Sequence, residues 1–109
     1  MSTRLAACAE YCPDSTGVYR LYRDGRIIHV GMAAGAATLR SEVLAHAAGE
    51  YGTATQAADQ VDWEVAPDGS FAYRRFLSLY AAAVYLASGG VRDEAGPSSS
   101  KRHSLSAAA

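Results

Sequence analysis

The sequence lacks the features of several large protein classes. It has only two cysteines in 109 residues, and half of its residues are apolar, so one modest core can be buried without disulfides or metal. No run approaches the ~20 apolar residues of a membrane-spanning helix, and the N-terminus has no basic region followed by an apolar stretch and a cleavage site. Ten basic and eleven acidic residues leave no positive surplus. These absences predict one soluble, cytoplasmic domain without tight nonspecific affinity for DNA.

The two cysteines have two interpretations. Cys8 and Cys12 lie one helical turn apart if residues 3–11 are helical. They could supply half of a metal site together with His29 or His46, or they could be two small buried residues. Because the sequence contains no second closely spaced ligand pair, we expect the cysteines to be structural.

A hairpin and a helix follow the first helix. Residues 13–16 break the chain, and the next fifteen residues alternate as two strands around the turn residues Asp24 and Gly25. Thr38 then caps a predicted helix that either Gly49 or Gly52 can end. Its apolar residues recur at helical spacing: Leu39, Val43 and Ala47.

A third strand and the longest helix complete the predicted domain. Residues 60–66 alternate apolar and polar side chains, which is the period of a half-buried strand. Ser70 caps the last helix, whose apolar stripe ends before Gly89 and consists of Ala72, Phe76, Leu79, Ala83 and Leu86. Residues 91–109 have no periodicity and cannot bury enough surface to order themselves. We therefore predict a single domain over residues 1–90 and a flexible tail over residues 91–109.

Two short motifs stand within this order of elements. They are Gly17-Val18-Tyr19 on the first strand and His29-Val30-Gly31 on the second. With the hairpin, helix, strand, helix succession behind them, they resemble the GIY-YIG nuclease family, which includes nucleotide excision repair incision subunits and homing endonucleases. The resemblance covers residues 13–88. It implies a small α/β fold in which a three-stranded, mainly antiparallel sheet is flanked by helices.

The register of the hairpin decides whether the two motifs share a site. A two-residue turn at Asp24 and Gly25 would pair Tyr19 with Val30 and place His29 on the opposite sheet face. A three-residue loop that includes Arg23, with Gly25 in the left-handed conformation of a bulge, would set Tyr19 directly opposite His29. We predict the second register because it builds a shared site.

The resemblance also implies roles for individual residues. Tyr19 matches the tyrosine that helps to activate water, and Arg40 matches the arginine that holds the scissile phosphate. His29 replaces a second tyrosine, and an imidazole can donate a hydrogen bond or act as a base near neutral pH. The alternative for His29 is a strand histidine satisfied by a neighbour. His46 lies six positions after Arg40, about 120° away around the helix, so we expect it at the surface or partly buried, without a catalytic role.

The metal ligand that the family places on its last helix is absent. No acidic residue occurs between Gly69 and Arg92, and the chain contains no asparagine. Mg²⁺ prefers carboxylate oxygen, and phosphodiester hydrolysis usually needs a metal or comparable positive charge. We therefore expect no cofactor, with Mg²⁺ or Mn²⁺ required only if the domain is active. Asp62 and Glu64 could share a cation, although the alternation of charged and apolar residues around them is that of any half-exposed strand. Glu42 is expected to point away from Arg40, because the two residues are only two positions apart on a helix.

The last helix carries Tyr73, Arg74 and Tyr80 in place of acidic residues. Tyrosine and arginine suit three different surfaces: one that stacks on bases and contacts phosphate, one that binds another protein, or the solvent side of a core helix. The sequence does not distinguish between these three. Two functions follow. The favoured one is a catalytically degenerate domain that binds nucleic acid, DNA rather than RNA, or a protein partner. The alternative is a metal-dependent DNA endonuclease that uses Tyr19, His29 and Arg40.

Overall fold

The structure, a computed structural model, describes residues 4–88 and the backbone of residues 102–106. Its elements in chain order are α1 (Arg4–Ala9), β1 (Gly17–Arg23), β2 (Arg26–Ala33), α2 (Leu39–Ala47), α3 (Thr53–Gln56), β3 (Gln60–Val65), α4 (Gly69–Ala87) and β4 (Arg102–Ser106). No helix in these residues is long and apolar enough to cross a membrane.

The four strands lie in the order β2-β1-β3-β4, with β1 between β2 and β3, and all of the pairings are antiparallel. The three strands β1, β2 and β3 with their flanking helices confirm the predicted fold class. A fourth strand differs from the prediction of a flexible tail, because β4 pairs with β3 along Gln60–Glu64. The free edge of β3 offers unpaired backbone N–H and C=O groups, and a further strand can pair with these groups whatever its side chains are. The remaining tail residues, 91–101 and 107–109, lie outside the described residues.

The two faces of the sheet belong to separate cores. On one face, α1 and α2 cover residues that include Tyr19, Leu21, Val61 and Trp63. On the other face, α4 covers a smaller core of Val18, Val30, Ala66, Ala72 and Leu79. Residues paired across neighbouring strands share a face, so each strand sends alternate side chains into the two cores.

The hairpin between β1 and β2 has neither of the two registers considered from the sequence. The turn contains two residues, Asp24 with φ 52° and Gly25 with φ 78°, because Arg23 pairs with Arg26. Positive φ at both positions is the type I′ geometry that suits the twist of paired strands. The predicted three-residue loop is therefore wrong.

A β-bulge then shifts the register between the pairs Leu21–His29 and Tyr22–Ile27. The extra residue is Ile28, which is left without a partner and is 39% exposed. Tyr19 consequently pairs with Gly31 rather than with His29. Because the bulge moves the rest of β2 by one residue, His29 still lies on the same face as Tyr19, as predicted.

Helix α2 begins as predicted and α4 does not. The Thr38 hydroxyl accepts a hydrogen bond from the Ser41 N–H at 3.1 Å, and the Ser41 hydroxyl accepts one from the Thr38 N–H at 2.8 Å, which completes a capping box. In α4 the N-cap is Asp68, whose carboxylate accepts from the Phe71 N–H at 2.8 Å. The predicted cap, Ser70, lies inside the first turn, because Asp68 is also an excellent cap and precedes it.

Both cysteines are buried thiols, as predicted. Cys8 and Cys12 are 2% and 0% exposed and belong to the core beneath α1 and α2. Burial raises the pKa of both thiols, that of Cys12 to about 12. They are therefore protonated and unreactive near neutral pH.

Candidate functional site

A buried hydrogen bond joins the first sequence motif to α2. The Tyr19 hydroxyl lies 2.9 Å from His46 Nε2, and His46 Nδ1 lies 2.8 Å from the Thr55 hydroxyl. Tyr19 and His46 are 2% and 1% exposed. In a neutral imidazole one nitrogen donates and the other accepts, so the ring links the two hydroxyls in one relay.

The expectation that His46 would be a surface or partly buried residue is wrong. Relative to Arg40, His46 projects from a different side of α2. His46 follows Leu39 by seven residues and Val43 by three, so it belongs to the buried stripe of α2. That periodicity was visible in the sequence and could have placed His46 beneath the sheet.

Two further aromatic rings surround His46. The His29 ring centroid lies 4.6 Å from that of His46 and 5.9 Å from that of Tyr19. The Tyr51 ring centroid lies 4.5 Å from that of His46, and Tyr51 is 54% exposed. We call Tyr19, His29, His46 and Tyr51 the tyrosine–histidine cluster. It extends from the buried Tyr19 to the exposed Tyr51, so only one side of it can meet a ligand.

The glycines of both motifs make room for this packing. A Cβ on Gly31 would lie 2.7 Å from Tyr19 Cε1 and closer still to Tyr19 Cζ and Oη. A Cβ on Gly17 would lie 2.9 Å from Leu39 Cδ1 and collide with the Glu64 carbonyl oxygen. Gly31 therefore lets the ring of Tyr19 cross β2, and Gly17 lets β1 approach β3 and α2 closely.

The cluster is electrically neutral near pH 7. Burial, and then the neighbouring His29, lower the pKa of His46 to about 4. Burial also lowers the pKa of His29. Burial raises the pKa of the Tyr19 phenol, and Glu42 and Tyr51 raise it further. Tyr19 therefore stays protonated near neutral pH and can exchange hydrogen bonds as a neutral phenol.

Glu42 is the carboxylate that borders the cluster. The Tyr51 hydroxyl donates to its two oxygens at 3.1 and 3.4 Å, and Glu42 is half-buried. This bond and the charge on Glu42 raise the pKa of Tyr51. The expectation that Glu42 points away from Arg40 holds, but Glu42 lies on the same side of α2 as His46, four residues later.

The structure does not join Arg40 to this cluster. Its Nε donates to the Cys12 carbonyl oxygen at 2.9 Å, and its Nη1 donates to Asp14 at 3.0 Å. The Leu39 and Arg40 N–H groups donate to the Ser15 and Pro13 carbonyls at 2.9 and 3.1 Å. Arg40 thus fastens the start of α2 to the α1–β1 connection, and phosphate binding by Arg40 stays a prediction that requires a ligand to compete with Asp14.

The carboxylates of β3 lie on the other face of the sheet. Tyr19 pairs with Trp63, whereas Asp62 and Glu64 pair with Arg20 and Val18. The Asp62 carboxylate accepts from Arg20 at 2.9 and 2.7 Å and from the Tyr22 hydroxyl at 2.7 Å. Asp62 therefore cannot reach the cluster through the sheet.

Glu64 is held in the same way from the α4 side. It is 5% exposed, and its carboxylate accepts from Arg75 Nη2 at 2.9 Å and from Arg75 Nε at 3.2 Å. The two carboxylates that could have replaced the missing helix ligand are thus paired with arginines on the face opposite Tyr19.

Comparison with known proteins gives a fold. No protein-family model and no curated protein matches this chain. Two solved structures do match, both of point mutants of the GIY-YIG N-terminal endonuclease domain of UvrC from Thermotoga maritima, bound to its catalytic divalent cation. In the first, the TM-score is 0.64 at 18% identity over 77% of this chain and 94% of that one. In the second, it is 0.62 at 20% identity over 84% and 100%.

This chain has the GIY-YIG fold. At such identities the likeness concerns the fold alone, and function depends on the residues that the fold brings together. Here the fold confirms the interpretation of the two glycine motifs, which lie on adjacent strands of its sheet.

The donor atoms of this GIY-YIG fold do not suit a divalent metal. Among residues 4–88, no group of three histidine, cysteine or acidic side chains could hold one. Both His46 nitrogens are already bonded, which leaves Glu42 and His29 as the nearest donors. Mg²⁺ needs several oxygen ligands in octahedral geometry, so this pair would anchor it poorly.

The three predicted contact residues of α4 are exposed, but they do not form one site with the cluster. Helix α4 packs against the opposite sheet face through Ala72 and Leu79. Tyr73 and Tyr80 are 53% and 54% exposed, and Arg74 is exposed as well. Their role stays a prediction that has to be argued from the surface of α4 itself.

Proposed function

We propose that this chain is a GIY-YIG-fold domain that binds nucleic acid at the exposed side of the tyrosine–histidine cluster and does not hydrolyse it with a metal. The observation that carries this proposal is the placement of the carboxylates. Helix α4 has none, and Asp62 and Glu64 are paired with arginines on the face opposite Tyr19. A metal near Tyr19 would have no anchor except Glu42.

The burial of Tyr19 supports the same proposal. A catalytic tyrosine has to touch the water or phosphate that it activates, whereas Tyr19 is 2% exposed and its hydroxyl is bonded to His46. Its contacts are those of a residue that fixes β1 against α2. His46 is equally inaccessible, so neither side chain of this bond is available for hydrolysis without rearrangement.

The outer residues of the cluster are available for binding. Tyr51 presents a ring that is 54% exposed, on which a base can stack. His29 is half-buried, and its side chain makes no hydrogen bond to another described residue, so its ring can bond a phosphate or base edge. Because the net charge of the chain is −1, we expect stacking and hydrogen bonding to exceed phosphate neutralisation, and the salt dependence to be shallow.

The test combines binding and cleavage measurements. Fluorescently labelled single-stranded DNA, duplex DNA and RNA are titrated with the protein in Mg²⁺, in Mn²⁺ and in chelator, and the same mixtures are examined for cleavage. We expect metal-independent binding and no cleavage, with Tyr51→Ala weakening the affinity about fivefold or more. Tyr85→Ala is the matched control, since Tyr85 is 57% exposed but lies on α4. Equal losses in both variants, or no binding by the parent protein, would contradict the proposal.

One observation favours the alternative of a metal-dependent endonuclease. Glu42 lies close enough to the cluster to raise the pKa of Tyr19 and to accept a hydrogen bond from Tyr51. If the parent protein nicks plasmid in Mg²⁺ and the Glu42→Gln variant does not, the alternative is correct and Glu42 is its metal anchor. Nicking that survives Glu42→Gln would point to a contaminating nuclease.

A further inference from the structure

The exposed apolar residues of this protein are concentrated on α4. Of the eleven large hydrophobic residues that are exposed in residues 4–88, six lie on this helix. They are Phe71, Tyr73, Leu77, Tyr80, Val84 and Tyr85. Scattered exposed apolar residues are normal on a soluble domain, but a contiguous group on one element marks an interaction surface.

Four of these residues form a continuous stripe along the helix. Tyr73, Leu77, Tyr80 and Val84 follow one another at intervals of four, three and four residues and are 46–54% exposed. This alternation is the apolar seam of helices that pair side by side. The stripe runs beside the face that α4 buries against the sheet and is separate from it, because the buried face contains Ala72 and Leu79.

The charges of α4 favour a protein partner over nucleic acid. The helix has no acidic residue and only two basic ones, Arg74 and Arg75, and Arg75 is bonded to Glu64. One remaining arginine can neutralise few phosphates, so α4 offers nucleic acid little electrostatic attraction. Tyrosine, arginine and uncharged apolar residues are instead the composition of a protein interface core.

The stripe is complementary to itself in one orientation. When two copies pack antiparallel about a two-fold axis midway between Leu77 and Tyr80, Tyr73 faces Val84 of the other copy, and Leu77 faces Tyr80. Each large ring then meets a smaller side chain, as well-packed layers require. Parallel packing would set tyrosine against tyrosine twice. The helix dipoles also favour the antiparallel arrangement.

The area available matches a weak dimer. Half of a tyrosine side chain is about 100 Å², so the stripe and its flanking alanines would bury on the order of 500 Å² of each copy. The total of about 1,000 Å² lies at the low end of specific interfaces, where weak and transient complexes are found.

From these observations we propose that the α4 stripe, defined as Tyr73, Leu77, Tyr80 and Val84, is the interface of an antiparallel homodimer. The interface lies on the sheet face opposite the tyrosine–histidine cluster. It therefore leaves the nucleic-acid site open in both copies and does not depend on what that site binds.

Sedimentation equilibrium of the full chain from about 1 to 500 µM tests the proposal. The parent protein should change from monomer to dimer, and Leu77→Glu should remain monomeric throughout because the dimer would bury two unpaired carboxylates. Ser78→Glu is the matched control, since Ser78 is the next residue, is exposed and lies off the stripe. Far-UV circular dichroism verifies that both variants are folded.

A cysteine pair tests the orientation. The double variant Tyr73→Cys/Val84→Cys should form intermolecular disulfides on mild oxidation, and Tyr73→Cys alone should not. A parent protein that stays monomeric, a Leu77→Glu variant that still dimerises, or cross-linking by Tyr73→Cys alone would overturn the antiparallel dimer. Loss of nucleic-acid binding in Leu77→Glu, with no dimer in the parent protein, would assign the stripe to nucleic acid instead.

Discussion

Replacing Gly31 with alanine is the sharpest perturbation of the tyrosine–histidine cluster. The new methyl group would lie 2.7 Å from Tyr19 Cε1 and closer to Cζ and Oη, so the ring has to move. Overpacking of this kind costs about 1–3 kcal/mol. Displacing the ring also breaks the 2.9 Å bond to His46 Nε2, and an unsatisfied buried acceptor or donor costs about 1–3 kcal/mol.

The expected loss of unfolding free energy is therefore about 1–5 kcal/mol, after the small intrinsic preference of a strand for alanine over glycine is subtracted. Urea unfolding can measure it through the fluorescence of Trp63, which is the single tryptophan, is 8% exposed and pairs with Tyr19 across the sheet. A loss of this size is a large fraction of the stability of a small domain.

Gly69→Ala is the matched control for this experiment. A Cβ on Gly69 would meet only Ala34 Cβ, at 3.4 Å, and Gly69 is the first residue of a helix, where alanine is favourable. In a Tyr19→Ala background, Gly31→Ala should cost little, because the colliding atoms are gone, so the coupling free energy should approach the whole cost of Gly31→Ala in the parent protein, about 1–5 kcal/mol. Equal effects of Gly31→Ala and Gly69→Ala, or no coupling with Tyr19, would refute the close approach of the ring to β2.

Three further predictions concern single side chains. The pKa of His46 is about 4 in the folded protein and near 6.5 when unfolded, so the unfolded chain binds a proton first as the pH falls. The unfolding free energy should decrease by up to about 3 kcal/mol between pH 6.5 and pH 4, and His46→Gln should flatten this pH dependence when it is measured by urea unfolding. The same pH dependence in the parent protein and the variant would disprove the role of His46. Asp62→Asn should lower stability by about 3 kcal/mol because it leaves the mostly buried Arg20 guanidinium without its counter-charge, and an unchanged thermal midpoint would show that water screens the pair. Arg40→Ala should lower stability by about 1 kcal/mol, and nucleic-acid affinity should be unchanged if Arg40 only fastens α2 to Asp14; the reverse pattern would assign it to phosphate binding.

The sequence by itself determined the nature of the fold and the order of α1, β1, β2, α2, β3 and α4, but it indicated neither the short helix α3 nor the strand β4. Helical and strand periods, turn residues such as Asp24 and Gly25, and the Thr38 cap are local signals, because each depends on neighbours within about one turn. The missing carboxylate on the last helix was equally plain from the sequence. Gly17 and Gly31 indicated the paired strands from the sequence alone, and the structure shows the neighbouring atoms that leave no room for a side chain at either position.

Only the tertiary structure decided which side chains share a site. One unpaired residue, Ile28, shifts β2 and brings His29 to the face of Tyr19, and no local pattern specifies such a bulge. The pairing of β1 with β3 sends Asp62 to the opposite face, and the packing of α2 beneath the sheet brings His46 to the Tyr19 hydroxyl. These contacts join residues that are 27 to 42 positions apart in the chain, so they depend on how whole elements pack and not on the preferences of any one segment.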